Sequence, residues 1–253
     1  FVIANSGRKG PVLIDIPKDV TAAHSEYVKL PRYRIRKLPK VDDVVFEQAL
    51  EVIRRAERPM IYAGGGIISS NATRELMNFS RHMDIPICCS MMGLGSVPYD
   101  YHLYMGMLGM HGTPVSNYAT LNTDLIIAIG SRFSDRVAGN REEFGREAKI
   151  IHFDIDASEI SKNVASDISI VGDARYILKK MIQRMPETKH DDWTGTLKDF
   201  KTKLGLPKPK PGENVDPRDL ALTLHEIVGE DAIIVTDVGQ HQMIMAQYYQ
   251  LSL

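Results

Sequence analysis

Cysteine is nearly absent from these 253 residues, and the two present, Cys88 and Cys89, are neighbours inside an apolar run. Adjacent cysteines strain the backbone when bridged and supply no CxxC spacing, so a disulfide framework is excluded and both read as reduced core residues. Net charge is nearly absent too: Lys+Arg number 31 against 32 Asp+Glu, a formal -1. No whole-chain field therefore draws in nucleic acid or an anionic membrane, and neither is expected as a partner. No run approaches the roughly 18 apolar residues of a membrane span, and the stretch from Phe1 to Pro11 lacks the charged and apolar regions of a signal peptide. HExxH, CxxC and EF-hand patterns are all missing, so no metal ligand is expected in the chain.

What is present is an ordinary globular composition, 43% hydrophobic and 25% charged, enough for one sizeable core. The chain opens on Phe1 without an initiator methionine and stops at Leu253 just after a helical pattern begins, so both ends are expected to be cut. Gly10 and Pro11 form a turn expected to feed a short buried strand, Val12 to Ile16, closed by Pro17. From Thr21 to Asp43 periodicity lapses, and Pro31 and Pro39 punctuate a basic run of Lys29, Arg32, Arg34, Arg36, Lys37 and Lys40. That run reads as a solvated linker rather than a phosphate patch.

Regular alternation follows. Phe46, Ala49, Leu50 and Ile53 mark one helix face, and Met60 to Ala63 a strand followed by three glycines. A helix striped by Ala72, Leu76, Phe79 and Met83 comes next. Further strands are expected at 87–89, 125–129, 150–153 and 168–171, and a helix carries Ile177, Leu178, Met181, Ile182 and Met185. Strands alternating with helices predict an α/β fold with a doubly wound parallel sheet over residues 44–190. Residues 191–215 turn polar and end in a proline-rich stretch, Leu206 to Gly212, expected to be an extended linker. Beyond it Asp216 caps a helix with Pro217 at its first position and Leu220, Leu224 and Ile227 on its face; Ile233 to Val235 is expected as the next buried strand.

In such a sheet, ligands sit at the carboxyl ends of the strands. Gly64 to Gly66, Ser90 to Gly93, Gly130 to Arg132, Asp154 to Asp156, and Gly172 with Asp173 all fall there. Glycines let a backbone approach a diphosphate, yet they are also plain turn chemistry. Asp154 or Asp156 can accept from ribose hydroxyls, and either can instead cap the helix that follows. Arg132 and Arg136, flanking Asp135, offer a guanidinium for a phosphate or a flavin carbonyl, or else form a surface network. His111 lies between glycines in a tight loop with no nucleophile or acid placed for a triad, so it reads as structural. Five strand-end sites in one sheet favour a long nucleotide along its crest.

In order, Gly10 to Asp19, Tyr62 to Gly66, Met107 to Thr113, Gly130 to Arg136, His152 to Asp156, Val171 to Asp173 and Thr236 to Met243 carry a resemblance. Together they resemble the catalytic large subunit of the acetolactate (acetohydroxyacid) synthase family, colinearly along the whole chain. The resemblance implies that residues 1–20 end a pyrimidine-binding domain, 44–190 form an FAD-binding middle domain, and 216–253 begin a thiamine-diphosphate domain, with incomplete flanking α/β domains. It implies FAD contacts at Arg8, Gly64, Gly65, Gly66, Met91 and Met92; at Leu108, Gly109, His111, Gly112, Thr113, Gly130, Ser131, Arg132, Asp135, Arg136 and Val137; and at Asp154, Ile155, Ile160, Gly172 and Asp173. Gln240, His241 and Gln242 would approach thiamine diphosphate. Ile244 and Met245 depart from the aromatic residue the family often has after this Gln-His-Gln-Met string, which puts local packing there in question.

The activity so implied is decarboxylation of pyruvate and transfer of the remaining two-carbon unit to a second 2-oxo acid, giving acetolactate or acetohydroxybutyrate in branched-chain amino-acid synthesis. FAD would be largely structural. The family's activating glutamate lies upstream of Phe1 and its Mg2+ ligands downstream of Leu253, so the chain alone is expected to be inactive. A homo-oligomer, a regulatory small subunit and a cytoplasmic location are implied, with a plastid left open. Two rivals stand: a pyruvate oxidase in which FAD carries electrons, and a non-catalytic nucleotide-binding module.

Overall fold

The computed structural model describes residues 1–31, 40–140, 144–210, 212, 215–229 and 232–251. Arg32, Arg34, Arg36, Lys37, Pro39 and Pro211 lie outside the described residues. The chain divides into two compact units, Phe1–Lys40 and Val41–Leu253. In the first, the only helix among the described residues is α1 (Lys18–Ala22). The strand expected over Val12 to Ile16 is not formed, and Leu13 and Ile14 are 88% and 78% exposed. An apolar run becomes a strand only when a ladder partner takes up its backbone groups, and the described residues of this unit supply none.

The second unit contains, in chain order, α2 (Asp43–Arg55), β1 (Pro59–Ala63), α3 (Gly65–Ser69), α4 (Thr73–Met83), β2 (Ile87–Cys89) and β3 (Tyr104–Met107). There follow α5 (Pro114–Asn122), β4 (Leu125–Ile129), α6 (Asp135–Ala138), β5 (Lys149–Asp154), β6 (Ile168–Val171), α7 (Ala174–Arg184), α8 (Asp191–Lys203), α9 (Pro217–Val228) and α10 (Gln240–Tyr248). All strand pairings are parallel, in the order β3-β2-β1-β4-β5-β6. This is the expected doubly wound sheet, and its order reverses between β1 and β4.

The two-residue period of the strands divides the core. Ile61, Ala63, Ile127, Ile129, Ile151 and Phe153 face one side, where Phe46, Leu50 and Ile53 of α2, Leu76 and Phe79 of α4, and Ile177, Leu178 and Met181 of α7 cover them. Met60, Tyr62, Ile126, Ala128 and Ile150 face the other, under Val115 and Ala119 of α5 and Trp193 and Leu197 of α8. β1 and β4, central in the sheet, are buried throughout, which is why they read as unbroken apolar runs. Each fully buried large side chain contributes on the order of 1.5–3 kcal/mol. Side-chain caps fix the helix starts: Asp42 accepts from Val44 N and Val45 N, Thr113 from Ser116 N, Asp173 from Tyr176 N, and Asp216 from Arg218 N.

Three elements differ from expectation. β3 has no β-branched residue and contains Gly106; a bulge skips Met105 between the pairs Ile87–Tyr104 and Cys88–Gly106. Gly106 has φ +96, and a Cβ there would strike Thr113 Cγ2, so the kinked strand is re-aimed toward α5. Residues 191–203, expected as linker, form α8, because Trp193 inserts into the core and donates from Nε1 to Pro59 O at 3.0 Å. The strand expected at Ile233 to Val235 is not formed; Ile233 and Val235 are 90% and 87% exposed. α9 and α10 belong to the second unit, although of the face expected on α9 Leu220 and Ile227 are exposed and Leu224 is half-buried, while the buried residue of that helix is Ala221.

Candidate nucleotide-binding crest

Because every strand runs the same way, the loops after β1 to β6 all emerge at one edge. β3 brings the segment from Leu108 to Thr113 there as well, so the edge gathers six loops, not the five expected. The histidine-bearing segment is thus the end of a strand.

After β1, Gly64 N donates to Ile129 O at 2.9 Å and Gly66 N to Gly130 O at 3.0 Å. A Cβ on Gly64 would overlap Gly130 O, and one on Gly66 would lie 2.6 Å from Gly130 Cα. These glycines let two backbone loops touch at the sheet's reversal point. Gly65 differs, since its Cβ would meet only Met92, at 3.0 Å from the carbonyl oxygen. Met91 and Met92 form a single 3-10 turn through Gly93, capped by Ser90 Oγ accepting from Gly93 N; Met91 packs on the core and Met92 is exposed.

The loop after β3 is held at both ends. Asn117 Oδ1 accepts from Gly109 N and Asn117 Nδ2 donates to Gly109 O, both at 3.0 Å, while Thr113 Oγ1 donates to Met105 O at 2.6 Å. Gly109 has φ +107, and a Cβ there would lie 2.5 Å from Arg136 O. Met110 N donates to that same Arg136 O at 2.8 Å, tying this loop to the one after β4. Leu108 is buried and His111 and Gly112 half-buried. Gln247 on α10 donates to His111 O at 2.8 Å.

After β4, Ser131 is buried, and its Oγ has no hydrogen-bond partner among the described residues. Ser131 O is bonded to Nε2 of the fully buried His152 at 2.9 Å. Burial pushes the His152 imidazole below its ordinary range, against the opposing pull of Asp154. Arg132 does not pair with Asp135: its Nε donates to Glu159 Oε2 at 3.2 Å, and Asn163 Nδ2 donates to Arg132 O at 2.8 Å. Asp135 and Arg136 are exposed and Val137 half-buried.

The two acids after β5 divide as the sequence allowed. Asp156 caps the short 3-10 turn Ala157–Glu159 by accepting from Ser158 N at 3.0 Å. Asp154 is buried at the strand end, accepts from Asp156 N at 2.9 Å, and has its carboxyl raised chiefly by burial. Ile155 and Ile160 are half-buried. After β6, Gly172 N donates to Asp154 O at 2.9 Å, and Asp173 is the cap of α7.

Arg8 belongs to the first unit, and the crest loops belong to the second. Gln240, His241 and Gln242 form the first turn of α10, the first two exposed. Glu159 escaped the sequence reading. Lys162, three residues on, is an ordinary local partner for it, and the contact that ties it to the crest comes from Arg132, 27 residues away in the sequence. A cavity of about 380 Å3 lies between β3, the end of α8 and α10, with Tyr104, Lys201, Leu206 and Tyr248 in its wall, and it reaches the crest loops at Thr113. Crest geometry, and not cavity size, marks the site. Among the described residues no cluster of His, Cys, Asp or Glu could hold a metal ion, and no helix is long and apolar enough to cross a membrane.

The all-parallel sheet, its order reversing between β1 and β4, and the loops gathered at that point define a doubly wound α/β domain. Residues 46–181 match the family described as "Thiamine pyrophosphate enzyme, central domain". The chain belongs to the thiamine pyrophosphate enzyme family. It is 42% identical over 98% of its length to the acetolactate synthase large subunit of Corynebacterium glutamicum, covering 41% of that protein. It is likewise 42% identical over 99% to the probable acetolactate synthase large subunit of Methanocaldococcus jannaschii, covering 45%, and 40% identical over 98% to the chloroplastic acetolactate synthase of Arabidopsis thaliana, covering 38%. The chain thus spans less than half the length of these curated relatives.

Proposed function

We propose that this chain is the flavin-binding centre of an acetolactate synthase large subunit, in which FAD is an architectural cofactor and thiamine diphosphate the reacting one. The observation that carries the reading is identity of about two residues in five, sustained over 98% or more of the chain, to large subunits from a bacterium, an archaeon and a plant. The proposal includes domain limits: a middle domain from 44, expected to end at 190 but carried on by α8, whose Trp193 and Leu197 join its core, and the start of a thiamine-diphosphate domain from 216.

The crest residues fit an FAD. Ser131 Oγ is a buried polar atom lacking a partner among the described residues, Asp154 is an acceptor at a central strand end suited to ribose hydroxyls, and Arg132 keeps its terminal nitrogens for an anionic or carbonyl oxygen. Gly65, Met92 and the Gly109 to Thr113 loop would flank the isoalloxazine or diphosphate. Gln240, His241 and Gln242 would approach thiamine diphosphate, which when bound with Mg2+ supplies the nucleophilic carbon for 2-oxo acids. The residues of this chain bind and orient; none is assigned a proton transfer. A cytoplasmic or plastid location, a homo-oligomer and a regulatory small subunit belong to the same reading.

The test is made on the purified enzyme. We expect a bound flavin spectrum, and acetolactate formed from pyruvate without oxygen uptake or added electron acceptor. Consumption of one oxygen or acceptor per pyruvate would replace the synthase by an oxidase. Absence of flavin together with uptake of NAD would replace it by a nucleotide-binding module of another kind.

A further inference from the structure

Four non-glycine residues among those described have positive φ: Asn71, Asp84, Phe133 and Ser161. Asparagine and aspartate tolerate this region, whereas phenylalanine and serine are strained in it and stay there only when the surroundings hold them. The two unfavourable cases sit at one place. Phe133, φ +46, follows Arg132, and Ser161, φ +53, lies between Glu159 and Lys162. Phe133 is locked beneath the crest, 1% exposed, its ring 5.4 Å from Tyr62 and 5.2 Å from His152. With that ring buried, the adjoining Arg132 is left at the surface, its side chain 57% exposed.

Across from it, the Glu159 side chain is only 2% exposed, yet it carries Arg132 Nε at 3.2 Å and Lys162 Nζ at 3.3 Å. Burial alone would raise this carboxyl, but the bonds from Lys162 and Arg132 outweigh it and hold Glu159 below its ordinary range, so it stays ionised at neutral pH. A bond at Nε fixes the plane of a guanidinium while leaving both terminal nitrogens unengaged.

We propose that Glu159 is the positioning residue of the crest: from a buried seat it sets the Arg132 guanidinium in the orientation that receives the FAD, and the strained backbone at Phe133 and Ser161 holds the two loops in register for that bond. The proposal rests on FAD being the ligand. Glu159 itself touches no ligand; it acts through Arg132.

The experiment measures FAD affinity of the purified holoenzyme after flavin removal and titration, for the wild type, Glu159→Gln, Arg132→Met, the double variant and Lys162→Met. Glu159→Gln keeps the shape and loses the charge, and it should weaken FAD roughly ten-fold. The double variant should bind no more weakly than Arg132→Met alone, since an effect passed through Arg132 vanishes with it. Lys162→Met removes an exposed partner and should stay within about two-fold of the wild type. Unfolding midpoints are recorded alongside, and Lys162→Met keeps the test open should Glu159→Gln fold poorly. Wild-type affinity in Glu159→Gln, additive losses in the double variant, or a ten-fold loss in Lys162→Met each overturns the proposal. A wild-type enzyme that takes up no FAD overturns instead the reading on which it stands, and the inference with it.

Discussion

The glycine loop after β1 and the charged loops after β4 and β5 lie at the same sheet edge and are built on opposite principles. At Gly64 and Gly66 the space a side chain would need is filled by the backbone of Gly130 and Ser131, so those glycines are consumed by the protein itself. Beside Arg132 and Asp154 the protein is partly unsatisfied: among the described residues Ser131 Oγ lacks a partner, and Asp154 is buried with its carboxyl raised. A glycine-rich string at a strand end therefore says less about a ligand than the polar atoms beside it do. The glycines bring the loops together, and the polar residues make the meeting point chemically useful.

The comparison breaks first, and with the largest effect, at Gly64. Gly64→Ala forces a methyl group into Gly130 O, where only backbone movement relieves the clash. We expect a loss of about 3 kcal/mol or more of folding stability, the upper end for overpacking. Denaturant unfolding of the enzyme reads it, and a midpoint within error of the wild type would show that the two loops are not in contact.

Next comes the charged side. On the proposed reading, Arg132→Ala should weaken FAD by about 1.5–3 kcal/mol, roughly ten- to a hundred-fold, and should also lower the unfolding midpoint because it takes one of two cations from the buried Glu159. Synthase turnover should return when FAD is raised to saturation. Turnover that stays low at saturating flavin would give the arginine a role beyond binding.

Gly65 sharpens the contrast at smaller cost. Its added Cβ would sit 3.0 Å from Met92 O and 3.2 Å from Met92 Cβ, an approach that a shift of a few tenths of an ångström in that single turn relieves, unlike the overlap at Gly64. Gly65→Ala should destabilise by under about 1 kcal/mol, whereas Gly65→Val, which reaches farther, should impair flavin uptake if this glycine faces the ligand. Flavin fluorescence on the folded Gly65→Val variant decides it, and unchanged affinity removes Gly65 from the cradle.

The same division explains what could be read from the sequence. The stripes of α2, α4 and α7 and the buried runs of β1, β4 and β5 were legible because local periodicity and burial coincide there. β3 was not, since a bulge and Gly106 replace its alternation. Nor was α8, whose Trp193 and Leu197 are set among Asp191, Asp192, Lys198 and Asp199. Val12 to Ile16 and Ile233 to Val235 mislead in the other direction, because apolar composition was taken for pairing. At the crest, strand-end glycines, Asp154 and Arg132 stand out by position. Glu159 becomes visible only once β4 and β5 are side by side, and Asp156 and Asp173 prove to be helix caps, as their residue type also permitted.

The smallest expected effect is a pH dependence seated beneath the charged side, at His152. Its ring is fully buried, with Nε2 on Ser131 O and Nδ1 without a partner among the described residues. Burial lowers its folded pKa below the ordinary 6.5, so the unfolded chain binds the proton more readily than the folded one does. Stability contributed by the neutral ring is therefore fully present above about pH 6.5 and is lost as pH falls from there through the lowered folded value. Asp154, with Oδ2 3.9 Å from His152 Nε2, tempers that loss by favouring the protonated ring. Its own carboxyl is raised by burial, so its contribution runs the other way, gaining as pH falls toward its unfolded value near 3.8. Between pH 7.5 and 5.5 the His152 slope should dominate, since that window brackets the ordinary histidine value and lies above the ordinary aspartate one. Urea unfolding at the two pH values should show the wild type losing more stability on acidification than His152→Gln. His102, exposed and lowered likewise by burial, is common to both proteins and cancels in the difference. Equal slopes in the two proteins would mean that the buried ring is not held neutral, and that the seat beneath Ser131 is wetter than its burial indicates.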